Sequence, residues 1–276
     1  MSLDQIIATM ITTGRDLWDR GWTEANGGNI SLRLSAQQRD ATAALTPPGD
    51  WQALTRAVPA LAGERFVVTG TGRYLRNIEL HPERNLGLIE LDDQGAAYRI
   101  LWGYEPHGGP TSELTAHLLS HAARMRASDG REHAVIHTHT PHLIALTYVI
   151  PRLDTALLST ILWRMHAECM AVFPNGVAFI PWMLAGSLDL AQATAAALER
   201  RCLALWEYHG MVGAGRNLDE AFGRIHVAEK TAGICLSALA AGGLRQALSD
   251  AQLRCIAERF ADSWDQDLLT AWPTAP

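Results

Sequence analysis

The chain has 276 residues, 48% of them hydrophobic and 19% charged, a balance that suits a packed globular core and excludes a disordered chain. A formal charge of −6 weighs against a nucleic-acid-binding surface, but not against a small phosphate held by backbone N–H groups. No apolar run reaches the roughly 18 residues of a membrane span, and the opening MSLDQIIATM reads as an amphipathic helix rather than a signal peptide.

Leu3, Ile6, Ile7, Met10, Ile11, Leu17 and Trp18 recur at helical steps, which predicts a first helix, loosened at Gly14. NGGNISLRLS follows as a Gly turn and a half-buried strand, with Ile30, Leu32 and Leu34 on one side. Residues 36–62, with TPPGD, show little periodicity and are expected as an irregular insertion. RFVVTGTGRYL predicts a strand entering a Thr/Gly turn, and LGLIELDDQGAAYRILWG a hairpin about Asp-Asp-Gln-Gly. In PTSELTAHLLSHAARM, Thr111 or Ser112 is the expected N-cap, with Leu114, Leu118 and Met125 as the buried stripe.

A strand over 134–139 and a short helix after Pro141 come next. ECMAVFPNGVAFIPW reads as a hairpin through Pro-Asn-Gly, and a helix from about Ser187 to Arg201 precedes the strand CLALWEYHG. Two long helices close the chain, capped by Asn217 with Glu220 and by Ser249 with Gln252; Gly242-Gly243 stops the first. Hairpins mixed with single strand–helix alternations predict one α/β domain over 1–276, three-layered α/β/α, with a mixed, largely antiparallel sheet. Cys169, Cys202, Cys235 and Cys255 form no CxxC pair and are expected as buried thiols in a reducing cytoplasm.

The chemistry centres on VIHTHT. On a strand, His137 and His139 project to the same face about 6–7 Å apart, close enough to share a metal, unless one is a satisfied core group and the other faces solvent. His209, before a Gly at the expected end of another strand, could complete a His₃ set of the kind that leaves a catalytic zinc an open position; a loop histidine bonded to its own turn is the alternative. Glu113 sits in the first turn of its helix, as a general base or simply as an acid favoured by the helix dipole. His117 and His121, at i and i+4 on that helix, are a competing metal pair without an HExxH carboxylate, or residues flanking the buried stripe. His142 and His166 carry the same two readings, with packing favoured over a role in the chemistry. NGGN and TGTG, with Thr111-Ser112, could form a phosphate nest or be ordinary turns. The only lysine, Lys230, falls inside a long helix, so no Schiff base is suggested.

The ordered set NGGNISLRL, VTGTGRY, PTSELTAHLLSH, HTHTPHLIALTYV, ECMAVFPNGV, IPWM and YHGMVGAG with LDEAFGRI resembles the class II aldolase and epimerase family over nearly the whole chain, least at 36–60 and beyond about 245. The resemblance implies one zinc ion per subunit on His137, His139 and His209, with Glu113 a ligand at rest and the base once substrate displaces it. It implies a phosphate site from Asn26, Gly28, Asn29, Thr71, Gly72, Thr111 and Ser112. Glu168 or a nearby Tyr would serve the aldehyde end; in this family such a carboxylate can come from a neighbouring subunit of a fourfold homotetramer. Thr71 and Arg73 stand where Ser and Lys are usual, and His166 before Glu168 is unusual. The implied reaction is reversible cleavage of L-rhamnulose 1-phosphate to dihydroxyacetone phosphate and L-lactaldehyde. A related enzyme acting on L-fuculose 1-phosphate or L-ribulose 5-phosphate, a metal-free adducin-like interaction module, and a closed structural zinc site are the alternatives. No nucleic-acid or membrane partner is expected.

Overall fold

The computed structural model describes residues 2–45 and 49–270; the Thr46-Pro47-Pro48 part of TPPGD and the last six residues lie outside it. Helix α1 (Leu3–Asp19) is closed at its start by a reciprocal Ser2–Gln5 capping box. It runs unbroken through Gly14, which is not a loosening point but a place where the helix passes close to Ile78. Strand β1 (Asn29–Arg33) is buried on both faces, not one. Its apolar side chains enter one core, while Asn29, Ser31 and Arg33 enter the other layer and find polar partners there.

The segment expected to be irregular holds a short helix α2 (Ala36–Ala41) and a two-residue strand β2 (Gln52–Ala53). A Ser35–Gln38 capping box starts α2, a local signal that weak hydrophobic periodicity hid. Strand β3 (Arg65–Thr69), the four-residue helix α3 (Pro82–Asn85) and the hairpin β4 (Leu86–Leu91)–β5 (Ala97–Gly103) follow. Helix α4 (Leu114–Ala127) begins one or two residues later than expected: Glu113 is the N-cap, and the Thr111 hydroxyl accepts its backbone N–H at 3.3 Å. Next come β6 (Ala134–Thr138), α5 (Pro141–Val149) and α6 (Thr155–Met165), the last capped by Asp154 and not foreseen.

ECMAVFPNGVAFIPW is not a hairpin. Ala167–Val172 forms helix α7 and Ala178–Ile180 forms strand β7. Cys169, Met170 and Phe173 are buried at helical spacing, a run too short for periodicity alone to decide. Helix α8 (Leu188–Leu198), the hairpin β8 (Leu203–Trp206)–β9 (Gly210–Gly215), α9 (Leu218–Ala240) and the shorter α10 (Asp250–Phe260) complete the chain.

Among the described residues, nine strands form one sheet in the order β2-β5-β4-β3-β1-β6-β9-β8-β7. Only β7–β8 is parallel; every other pair is antiparallel. One face packs on α1, α5, α6, α7, α9 and α10 through Ile30, Leu32, Val67, Ile136, Leu205 and Met211. The other packs on α4 and α8 through Phe66, Val68, Val135, Trp206 and Val212. The architecture is therefore three-layered α/β/α, as expected. Of the cysteines, Cys169 and Cys235 are buried, but Cys202 is half-buried and Cys255 exposed. No described helix is long and apolar enough to cross a membrane.

Candidate active site

The sheet brings distant segments together at one end. Pairing of β1 with β6 sets Asn29 opposite His137, and pairing of β6 with β9 sets Thr138 opposite Met211. The three-residue turn 207–209 between β8 and β9 then carries His209 back over the end of β6. Gly210 allows this approach: a Cβ there would lie 2.4 Å from the Thr138 carbonyl oxygen. His209 thus belongs to a turn after the strand, not to the strand end itself.

His137, His139 and His209 form a triangle. Their ring centroids lie 5.2 Å (137–139), 4.9 Å (137–209) and 5.1 Å (139–209) apart, and one donor atom from each lies within 4.8 Å of the others. The rings are held from behind. His137 Nδ1 donates to the Met211 carbonyl at 3.2 Å, and His139 Nδ1 lies 2.6 Å from Glu24 Oε1. Both contacts leave Nε2 as the free lone pair, as a metal ligand requires. His137 Nε2 is buried and has no partner among the described residues. Burial, with the neighbouring imidazoles, pushes His137 well below the usual histidine range, and burial first pushes His209 down to about 4. Three imidazoles converging on one point, with His137 and His209 held neutral by burial, fit a divalent ion such as zinc.

Glu113 reaches this point from the start of α4, with Oε2 3.8 Å from His137 Nε2. Burial raises its pKa, and the N–H of Asn29, donated at 2.7 Å, draws it back. The cleft in front, about 170 Å³, is lined by the three histidines, Glu113 and the turns 26–29, 70–72 and 111–112. All seven residues expected at a phosphate site line it. The two latter turns are stitched together by Thr71 N–H to Gly109 O and Thr111 N–H to Thr69 O. The N–H groups of Gly28, Gly72 and Ser112 donate to no acceptor among the described residues, which suits an anion. Asn29, by contrast, is buried and its amide is engaged by Glu113 and His117.

Glu168 is not brought in. It is exposed in the first turn of α7 and does not line the cleft. His117 and His121 are fully buried against Ser31 and form no metal pair. His142 bonds Glu229 at 2.8 Å, and His166 lies 3.2 Å from the Thr231 hydroxyl.

Three supporting residues were missed in the sequence. Glu24 orients His139. Trp206 lies 4.4 Å from the His137 ring and 5.0 Å from His209, anchored by its N–H to Thr194. Glu229, buried on α9, accepts the N–H groups of His142 and Leu143 at 2.9 Å each, fixing the helix that follows HTHT. For Glu24, nearness to the NGGN turn was the one available hint.

Residues 8–236 match the class II aldolase and adducin N-terminal domain family. The chain belongs to the class II aldolase family. It is a lyase of carbon–carbon bonds, of the metal-dependent class. The aldolase is 42% identical over 252 residues to a rhamnulose-1-phosphate aldolase of Enterobacter sp. (strain 638), covering 91% of each chain. It is 43% identical over 256 residues to that of Escherichia coli O157:H7, covering 91% of this chain and 92% of the relative. Among solved structures it resembles a sugar-phosphate aldolase from Thermotoga maritima, with a TM-score of 0.73 and 27% identity over 88% of this chain and 98% of that one. An L-fuculose 1-phosphate aldolase shares the fold at a TM-score of 0.62 and 22% identity, over 94% and 98% of the chains.

Proposed function

We propose that this aldolase cleaves L-rhamnulose 1-phosphate reversibly to dihydroxyacetone phosphate and L-lactaldehyde, with one zinc ion held by His137, His139 and His209. The observation that carries the reading is the unpartnered His137 Nε2 inside a triangle of imidazoles, with the Glu113 carboxylate beside it. The relatives at 42–43% identity support the choice of sugar. Zinc bound there supplies a Lewis acid that polarises the ketose carbonyl and offsets the negative charge left when the carbon–carbon bond breaks.

The chain's own groups do the rest. The free N–H groups of Gly28, Gly72 and Ser112, with Asn26, Thr71 and Thr111, hold the phosphate and set the sugar's register; Asn29 acts there chiefly through Glu113. In cleavage, the C4 hydroxyl passes its proton to the base at the aldehyde end, its electrons form the aldehyde C=O, and the C3–C4 pair passes to C3. Glu113 then delivers a proton to C3; in condensation it removes one from the hydroxymethyl carbon of dihydroxyacetone phosphate. A carboxyl lifted by burial suits a group that must both take and return a proton. We assign Glu168 to the aldehyde end from a neighbouring subunit of a homotetramer, consistent with its exposure away from its own cleft. Lys230, exposed on α9 away from the cleft, offers no Schiff-base route. We place the protein in the cytoplasm, as one domain of this family.

The test is metal analysis with an aldolase assay on dihydroxyacetone phosphate and L-lactaldehyde, before and after chelation, with the product's stereochemistry determined. Stoichiometric zinc, loss on chelation, recovery with zinc and the L-rhamnulose configuration are expected. An L-fuculose-type product, or activity that survives full chelation, would overturn the reading.

A further inference from the structure

Between β1 and α4 a polar chain runs from Glu113 and Asn29, which line the cleft, to His117, Ser31 and His121, which do not. Glu113 Oε2 accepts Asn29 Nδ2–H at 2.7 Å; Asn29 Oδ1 meets His117 Nε2; His117 Nδ1 lies 2.6 Å from Ser31 Oγ; and Ser31 Oγ lies 2.8 Å from His121 Nε2. Every member has at most 9% of its surface exposed. His121 is in turn packed on the Phe66 ring, with centroids 5.1 Å apart.

The proton positions follow from what each atom can do. An ionised carboxylate only accepts, so the NH₂ end of Asn29 faces Glu113. Its carbonyl oxygen, which also only accepts, then faces His117, so His117 carries its proton on Nε2. A second proton would leave a charged ring fully buried, and burial pushes His117 down to about 3. Nδ1 is therefore an acceptor and takes the single Ser31 O–H. The Ser31 oxygen is left to accept from His121 Nε2–H.

We infer that His117 is a positioning residue: its Nε2–H locks the Asn29 amide with nitrogen toward Glu113, and Ser31 and His121 lock His117. Without it the amide is free to turn over and set its oxygen against the carboxylate. The structural part stands on this hydrogen-bond geometry alone; its kinetic consequence rests on the role proposed for Glu113.

Two measurements test the inference on zinc-loaded protein. ¹⁵N NMR with imidazole-labelled histidine reads the proton position: His117 and His121 should both be protonated at Nε2 and bare at Nδ1. Proton exchange at the hydroxymethyl carbon of dihydroxyacetone phosphate reads the consequence. His117→Leu should lower its kcat on the order of 10- to 100-fold, the loss of one hydrogen bond to a charged group, with KM and zinc content held. His117→Gln, which can place an N–H on the same oxygen, should restore most of the rate. In an Asn29→Ala background His117→Leu should add nothing, because the two act in series. A His117 proton on Nδ1, a wild-type rate in the Leu variant, or equal losses in both backgrounds would overturn the inference. If the unmodified protein exchanges no proton, the function reading fails while the NMR result still decides the relay. It also decides alone should the Leu variant not fold.

Discussion

Glu24 Oε1 lies 2.6 Å from His139 Nδ1, and this contact turns Nε2 of that ring toward His137 and His209. A carboxylate behind a ligating histidine fixes its tautomer and raises its basicity. Glu24 is itself exposed, so its replacement leaves the core intact. Glu24→Gln is expected to weaken metal binding about 10- to 100-fold with little change in melting temperature. Competition with a chelator of known affinity measures it; an unchanged dissociation constant would remove Glu24 from the site.

His139→Ala is expected to abolish metal binding and aldol cleavage together. It removes one corner of the triangle and the partner of Glu24. Metal content per subunit, read beside activity, checks this. A variant that keeps full zinc and full turnover would disprove the ligand set.

Glu113→Gln is expected to keep the metal, because the three imidazoles remain, and to slow proton exchange at the hydroxymethyl carbon of dihydroxyacetone phosphate by roughly 10² or more. Isotope exchange followed by NMR makes the measurement without the aldehyde. Unchanged exchange would show that another group is the base.

The protein is expected to lose stability in mild acid. Burial holds His117 down to about 3 and His121 well below its usual value, whereas both titrate near 6.5 when unfolded. Below that value the unfolded chain binds protons the folded chain refuses. Stability is thus full above about pH 6.5 and falls as pH drops toward the folded values, by about 1.4 kcal/mol per pH unit for each histidine. Chemical denaturation at a series of pH values gives the slope. His121→Gln should reduce it by one proton, and an identical slope would contradict neutral burial.

Much of this was legible along the chain. Two-residue spacing put His137 and His139 together, although β6 ends at Thr138 and His139 lies just past it, and the capping residues Asn217 and Ser249 marked the starts of α9 and α10. The hairpin β4–β5 followed from apolar runs around a turn. All of these are local, set by a residue and neighbours within a few positions. The misreading at 168–182 came from a short apolar run that fits helix and strand equally. His117 and His121 read as the flank of a stripe because nothing nearby in sequence announces Ser31, on a strand far earlier in the chain.

The sequence by itself determined the donors: three imidazoles, a carboxylate at a helix start, and turns rich in Gly and Thr. Only the tertiary structure decided that they meet. Strand β6 had to pair with β1 on one side and β9 on the other for Asn29 and His209 to reach the end of HTHT, and the 109–111 segment had to bond the end of β3 to bring Glu113 there. Such pairing is chosen by the summed burial of two core layers, no single term of which is written in any one segment. The same holds for Glu24, Trp206 and the His117 relay, whose roles exist only through partners brought near by the fold.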